Sequence, residues 1–334
     1  MRAVAVVNGS ARRVRGGAGA RLERVLPGRV RLTRSLAEAR AVIQDEVRRG
    51  VDLIVLGGGD GTFVMGVALI AEACAAVGRP GPALGLLRLG AGNALADAIG
   101  ASRDAAQDLA RLARGEGTWR SLPLVEVLGL RAPFAGVGAD AQLLEDQRAI
   151  GRAIDRVPGG KRLVGGAARY ALSVALRSVP RFAVGRRPTA VVTNLGAPAI
   201  EVSPAGPTGR ALPAGAVLWR GACTLVAGAT IPFFGFGLRM FAFAGARPDR
   251  FQLRCGDPRL LEILRNTPAA FRGEYFSDHL HDFWCERVAI ELDDDVPVEA
   301  GGELLGRRRR IELGLGAPVT IVALGVSGAG TSAR

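Results

Sequence analysis

The sequence predicts an α/β N-terminal domain built on a doubly wound parallel sheet, followed by a β-rich C-terminal domain. Three observations lead there. Strands alternate with helical segments through about residue 115, the order that parallel sheets require. Two of the strands run into a glycine turn and then a helix, at Leu56–Thr62 and at Leu89–Asn93. From Trp119 onward the pattern changes to short β-type runs. A length of 334 residues suits two domains at roughly 150 residues each, and 49% hydrophobic residues suffice for two cores.

In chain order, Ala3–Val7 is an apolar strand. A loop with Arg12, Arg13, Arg15 and Gly16-Gly17 follows, its arginines suited to meeting phosphates. Gly19–Val25 reads as a helix and Arg29–Thr33 as a strand. Leu36–Arg49 carries Leu36, Ala39, Val42, Ile43 and Val47 near helical spacing. Val51–Val55 is a strand, Phe63–Val77 a helix, Ala83–Leu89 a strand and Ala94–Ile99 a helix. In the second half, Val191–Asn194, Thr224–Ala227, Phe251–Arg254, Val288–Leu292 and Ile311–Leu315 read as strands, with Arg162–Arg177 as the clear helix and Val319–Leu324 as a closing strand. The expected boundaries are 1–118 for a nucleotide-binding domain, 119–326 for a β-rich substrate domain and 327–334 for a small, polar tail that frays.

The chemistry concentrates in Leu56-Gly57-Gly58-Gly59-Asp60-Gly61-Thr62. A strand, glycine turn and helix start aim backbone N–H groups at a phosphate. Asp60 does not belong in a simple anion cradle, because a carboxylate repels phosphate unless it binds Mg²⁺ or accepts a proton from an attacking hydroxyl. Cradle and carboxylate together point to phosphoryl transfer; the alternative is a tight turn with a capping Asp or Thr. No Lys follows the glycines, so this is not a P-loop, and the spacing is not G-x-G-x-x-G. The second turn, Gly90-Ala91-Gly92-Asn93, would line the same crevice at the carboxyl ends of parallel strands. Asn93 is either a ligand group or, as favoured, the cap of its own helix.

With these residues in order, the chain resembles the diacylglycerol kinase catalytic-domain family, which includes bacterial lipid kinases and sphingosine kinases and is related to NAD kinases. Asn8-Gly9-Ser10 stands where the family has Asn-Pro-x-Ser-Gly; Gly58–Thr62 is its Gly-Gly-Asp-Gly-Thr unchanged; Arg88–Asn93 stands at its Pro-Leu-Gly-Thr-Gly-Asn. Gly136–Ala141 resembles Gly-x-Gly-x-Asp-Ala, Phe234–Gly237 resembles Tyr-Gly-Gly-Gly, and Pro297–Gly306 resembles the strand carrying Asp-Gly-Glu. There are departures. The family's late Asp, a proposed general base, is Gly301 in Gly301-Gly302-Glu303. Met65 replaces a Glu after the glycine motif, and Ala91 and Ala94 replace a Thr and an Asp at the second turn. Glu299, Glu303 and the run Asp293–Asp295 are carboxylates that could substitute, though the run is favoured as a solvated turn.

The resemblance implies a β-sandwich-like second domain and an ATP-dependent lipid kinase. ATP would lie between the domains, held by Asn8, Ser10, Gly58, Gly59, Gly61, Thr62, Gly90, Gly92 and Asn93. Mg²⁺ would bridge the phosphates, Asp60 would orient or deprotonate the lipid hydroxyl, and Glu303 would support the metal or its water shell; the protein ligands of the metal are left open. The loss of the late Asp motivates a second reading, a nucleotide- or lipid-binding protein that transfers phosphate weakly or not at all. NAD kinase is a third, disfavoured by the opening Asn8-Gly9-Ser10 and the late Gly-Gly-Glu.

Composition narrows the partners. A net charge of +13 and pI near 11.1 call for anionic partners, either nucleic acid or an anionic membrane surface. No nucleic-acid module is present and the arginines are not interleaved with stacking aromatics, so a lipid substrate at an anionic membrane surface is expected and nucleic acid is not. Arg307–Arg310 is as readily a solvated hairpin as a contact for such a surface. Met1–Asn8 contains no cleavable apolar region, and Cys74, Cys223, Cys255 and Cys285 are widely spaced; both fit reduced thiols in a cytoplasmic protein, peripheral at the inner membrane face. The uncharged stretch Gly221–Leu238 is 18 residues long but holds Pro232 and four glycines, so it reads as strand plus loop rather than a membrane span. Ile231–Phe236 and Met240–Phe243 are rich in aromatics, favoured as core over a lipid-facing patch. His279 and His281 could share a strand face as metal ligands, without a third ligand in view. No Ser-His-Asp or Cys-His context supports hydrolase chemistry.

Overall fold

A computed structural model describes residues 1–11, 14, 17–90, 92–155, 187–235 and 237–325. The expected loop arginines Arg12, Arg13 and Arg15, Ala91, the expected helix Arg162–Arg177, Phe236 and the tail from 327 lie outside the described residues.

The first half is a parallel sheet wound in both directions. β1 (Ala3–Asn8), α1 (Ala18–Val25), β2 (Val30–Thr33), α2 (Leu36–Arg48), β3 (Leu53–Gly58), α3 (Asp60–Val77), β4 (Ala83–Arg88), α4 (Ala94–Ala98) and α5 (Ala105–Ala113) follow one another. The strands lie in the order β2-β1-β3-β4, all parallel. Their alternating side chains divide between two cores. Val4, Val6, Ile54, Leu56, Leu84 and Leu86 meet Ile43 and Val47 of α2 and Phe63 and Val67 of α3. Ala3, Ala5, Val7, Leu53, Val55 and Leu87 meet Leu22 of α1 and Leu109 and Leu112 of α5. Burial on both faces is why these strands read as unbroken apolar runs.

Local chemistry sets the helix starts. Ser35 Oγ accepts the Glu38 N–H at 3.1 Å while Glu38 Oε2 accepts the Arg34 N–H at 2.7 Å, so α2 opens on a reciprocal cap. Asp104 caps α5 through the Ala106 and Gln107 N–H groups. α3 has no side-chain cap at Gly59. Its 18 residues, mean hydropathy 1.6, are apolar enough to cross a membrane, and half of them are buried inside the protein.

The second half is antiparallel. β5 (Thr118–Val127), β6 (Leu130–Ala132) and β7 (Phe134–Gly138) lead into α6 (Ala139–Asp155). Then come β8 (Thr189–Asn194), β9 (Ala199–Ser203), β10 (Gly206–Leu212), β11 (Val217–Ala222), β12 (Leu225–Ala229), β13 (Phe251–Gly256), α7 (Leu260–Arg272), β14 (Leu280–Cys285), β15 (Arg287–Ala300) and β16 (Glu303–Ala323). The two expected strands Ile311–Leu315 and Val319–Leu324 form one long strand, β16, with a register shift between Gly316 and Val319. β16 pairs antiparallel with β15 and β5, then parallel with β4 through Ile321 and Leu84. Its end packs with the first half: Val322 and Leu324 join the α1/α5 core, and the Leu324 N–H reaches the Ile99 carbonyl at 3.0 Å.

Neither α6 nor α7 was among the helices named from the sequence. α6 begins within the Gly-x-Gly-x-Asp segment, with Asp140 in its first turn. Within α7, Asn266 Nδ2 and Thr267 Oγ1 donate to carbonyls one turn back at 2.9 Å, and Pro268 is carried inside the helix. The aromatic stretch is core: Ile231 and Phe241 are buried, and Phe234 packs between Phe134 (4.9 Å) and Phe241 (5.5 Å). All four cysteines are buried free thiols.

Candidate active site

The glycine turn opens onto a cleft of about 280 Å³ that gathers residues from both ends of the chain. Asn8 and Ser10 come from the end of β1, Gly61 and Thr62 from the first turn of α3, and Glu303 from the start of β16. Asn8 holds the set together. Its Oδ1 accepts the Ser10 N–H at 2.9 Å, and its Nδ2 donates to Thr62 Oγ1 at 3.4 Å. Glu303 lies so close over Gly61 that a Cβ there would collide with its carboxyl group. Glu303 Oε2 also accepts from Arg148 Nη2 of α6 at 2.8 Å. One wall of the cleft is apolar, with Leu36, Met65 and Leu69.

Among the described residues of the second turn, Gly90, Gly92 and Asn93 stand behind the first turn and do not line the cleft. Gly59 and Gly90 meet backbone to backbone, and a side chain on either would strike the other turn. Asp60 joins the two. Its Oδ2 accepts the Ala94 N–H at 2.9 Å and its Oδ1 accepts the Leu95 N–H at 3.0 Å, so Asp60 caps α4 from a distance. One expectation is corrected, that Asn93 caps its own helix. Asn93 occupies the N-cap position without a side-chain cap bond, its Nδ2 donating instead to the Gly90 carbonyl at 3.0 Å. Asp60 is 6% exposed, and both of its carboxylate oxygens accept backbone N–H groups. Burial raises its carboxyl above the usual range, while the Leu95 and Ala94 N–H groups and the Arg88 guanidinium pull it back. Of the expected site residues, Asn8, Ser10, Gly61, Thr62 and Glu303 share the cleft wall. Gly58, Gly59, Asp60, Gly90, Gly92 and Asn93 form the support behind it.

A buried carboxyl pair lies under the Glu303 turn. Glu299 of β15 is 1% exposed; its Oε2 accepts the Gly302 N–H at 2.9 Å and its Oε1 meets no donor, while the Asp140 carboxyl interacts with the N–H groups of Ala141 and of its own residue and with the Glu299 carboxyl. Burial pushes both carboxyls up, Glu299 well above its ordinary range, and the Asp140 charge raises Glu299 further. One proton shared between these two neighbouring buried carboxyls would satisfy both. The folded state then holds that proton more tightly than the unfolded chain. Its contribution to stability is complete below the ordinary Glu value of 4.5 and is lost as pH rises towards the higher folded value. Gln at 299 can accept from Gly302 and donate to Asp140 without a shared proton. Glu299→Gln is therefore expected to raise stability at alkaline pH by about 1–3 kcal/mol and to give no gain in acid. Thermal melts at both ends of the range check this, and an equal change at the two would refute proton sharing.

At Gly301, where the family's Asp would stand, φ is 53° and an added Cβ would lie 2.6 Å from Val64 Cγ2. The Gly301 N–H is tied to the Phe134 carbonyl at 2.9 Å. Gly301→Asp is expected to destabilise the fold by about 1–3 kcal/mol through overpacking. Adding Val64→Ala should return most of that loss in a denaturant titration.

The other candidate groups lie elsewhere. Asp293, Asp294 and Asp295 are exposed and do not line the cleft. Arg307, Arg309 and Arg310 sit on β16 in ion pairs with Glu145, Asp295 and Glu291 or Glu312. His279 Nδ1 faces Glu262 Oε2 at 2.8 Å, and among the described residues no group of three or more His, Cys, Asp or Glu is placed to hold a metal.

Residues 8–124 match the family model of the diacylglycerol kinase catalytic domain. No curated protein matches the sequence. Among solved structures, a diacylglycerol kinase from Bacillus anthracis str. Sterne superposes with a TM-score of 0.62 at 13% identity, covering 96% of each chain. A candidate diacylglycerol kinase from the same organism gives a TM-score of 0.63 at 16% identity, again over 96% of each chain. At these identities the likeness is one of fold, and it bears out the α/β half and the β-rich half together.

Proposed function

We propose, from the premise that residues 8–124 carry the diacylglycerol kinase catalytic-domain match, that this protein is an ATP-dependent lipid kinase acting on a diacylglycerol- or sphingoid-type hydroxyl. The observation that carries this reading is the convergence of Asn8, Ser10, Gly61, Thr62 and Glu303 on one cleft. α3 has no side-chain cap, so its first-turn N–H groups suit a phosphate. The apolar wall suits the base of the nucleotide. Glu303 is the carboxylate on the cleft wall, a set that fits Mg²⁺ arriving with the phosphates better than Mg²⁺ in a protein cage. When bound, the ion would neutralise charge on the phosphate oxygens.

In this reading Gly61 and Thr62 hold the phosphates and Asn8 fixes the Thr62 hydroxyl. Glu303 takes the proton from the lipid hydroxyl as its oxygen attacks the γ-phosphorus and the bond to ADP breaks. Asp60, proposed from the sequence as that base, acts here by keeping the two glycine turns in register. The protein would work from the cytoplasm at an anionic membrane surface. One observation favours the second reading, a binding protein without transfer: Val64 fills the space an acidic side chain at 301 would need. Transfer of labelled γ-phosphate from ATP to a panel of lipid alcohols with Mg²⁺ separates the two. Labelled lipid phosphate supports the kinase; saturable ATP binding without product supports the binding protein.

A further inference from the structure

α7 turns an apolar face outward. Leu261, Leu264 and Phe271 are 66%, 58% and 48% exposed, and with exposed Pro268 they recur at helical spacing on one side. The opposite side is closed: Ala270 is buried with Tyr275 and Leu280, and Glu262 turns in to meet Tyr275 Oη at 3.1 Å and Ser277 Oγ at 2.5 Å. The charges on and beside the outward face are arginines. Arg259 and Arg265 have no acidic partner among the described residues, and Arg272 pairs with the exposed Glu274 at 2.6 Å. No carboxylate of α7 lies on that face. An apolar stripe edged by cations matches the boundary between acyl chains and anionic headgroups.

The face is also linked to the cleft. The Arg239 N–H donates to the Ala270 carbonyl at 2.8 Å, joining the 231–243 loop to the end of α7. Phe234 in that loop stacks on Phe134, whose carbonyl holds Gly301, two residues before Glu303.

We infer that α7 is the element that seats this protein on an anionic bilayer, with Leu261, Leu264 and Phe271 among the acyl chains and Arg259 and Arg265 at the headgroups; this rests on the lipid-kinase reading. The test is sedimentation of the full-length protein with vesicles of phosphatidylcholine plus phosphatidylserine, and with phosphatidylcholine alone. Neither ATP nor an acceptor lipid is present, so the result is independent of catalysis. The wild type should bind the phosphatidylserine vesicles and release them as salt rises. Leu261→Glu with Leu264→Glu should weaken binding at least about tenfold. Arg259→Gln with Arg265→Gln should flatten the salt dependence. All four side chains are exposed or lie on the outward face, and unchanged melting curves would show that folding is intact. Phosphate transfer to a short-chain, soluble lipid should survive in both variants; absence of transfer by the wild type with its vesicle binding intact would count against the kinase reading alone. Failure of the wild type to bind either vesicle, or undiminished binding by the Leu variant, would overturn the assignment. So would a wild-type dimer in ultracentrifugation that the Leu variant dissociates, since a second copy would then cover this face.

Discussion

Asp60→Ala is expected to lower the unfolding free energy by about 2–5 kcal/mol, because two buried N–H groups, those of Ala94 and Leu95, lose their only acceptor. The site is enclosed: Asp60 is 6% exposed, and a Cβ on Gly92 would lie 3.2 Å from its Oδ2. α4 is five residues long and cannot hold itself without a cap. Asp60→Asn separates support from catalysis. An amide offers one oxygen for the two N–H groups and presents its own NH₂ to the other, so a loss of about 1–3 kcal/mol is expected. Melting temperature and phosphate transfer should fall together in both variants. An Asn variant that melts like the wild type and yet transfers no phosphate would return Asp60 to the role of base.

The Glu303→Gln variant should behave in the opposite way. The amide keeps the shape that packs over Gly61 and can still meet solvent, so stability should stay within about 0.5 kcal/mol of the wild type. What is removed is the capacity to accept a proton or face a cation. A drop in kcat of about 10²–10⁴-fold is expected for a lost general base. Arg148→Ala is the control. It frees Glu303 from a half-exposed ion pair worth about 0–1 kcal/mol and should shift kcat far less. If Gln at 303 supports wild-type kcat, the proton goes elsewhere and the Asp140–Glu299 pair becomes the next carboxyl group to test.

What could be read from the sequence followed the range of the interactions. The parallel sheet was legible because β1, β3 and β4 are buried on both faces and announce themselves locally. The cradle at Gly58–Thr62 was legible because its geometry lies within one turn. The role of Asp60 was not, since its partners lie 34 and 35 residues away and meet it only when two turns stack. Glu303 could be placed only through the resemblance to a family, because nothing near it in sequence marks it as facing Gly61. α7 was not among the helices read from the sequence. Periodicity would in any case have assigned Leu261, Leu264 and Phe271 to a core, whereas they face outward.

β16 has a mechanical consequence. The strand begins at Glu303 on the cleft wall and ends at Ala323, where it pairs with β5 at Thr118 and packs with the first half of the protein. The two halves are thus fastened by one unbroken ribbon rather than hung on a hinge. Rocking one half against the other would have to twist that ribbon, and its ladder to β5 is interrupted between Gly316 and Val319. A substitution that stiffens this short slip would act on the cleft from residues that do not line it.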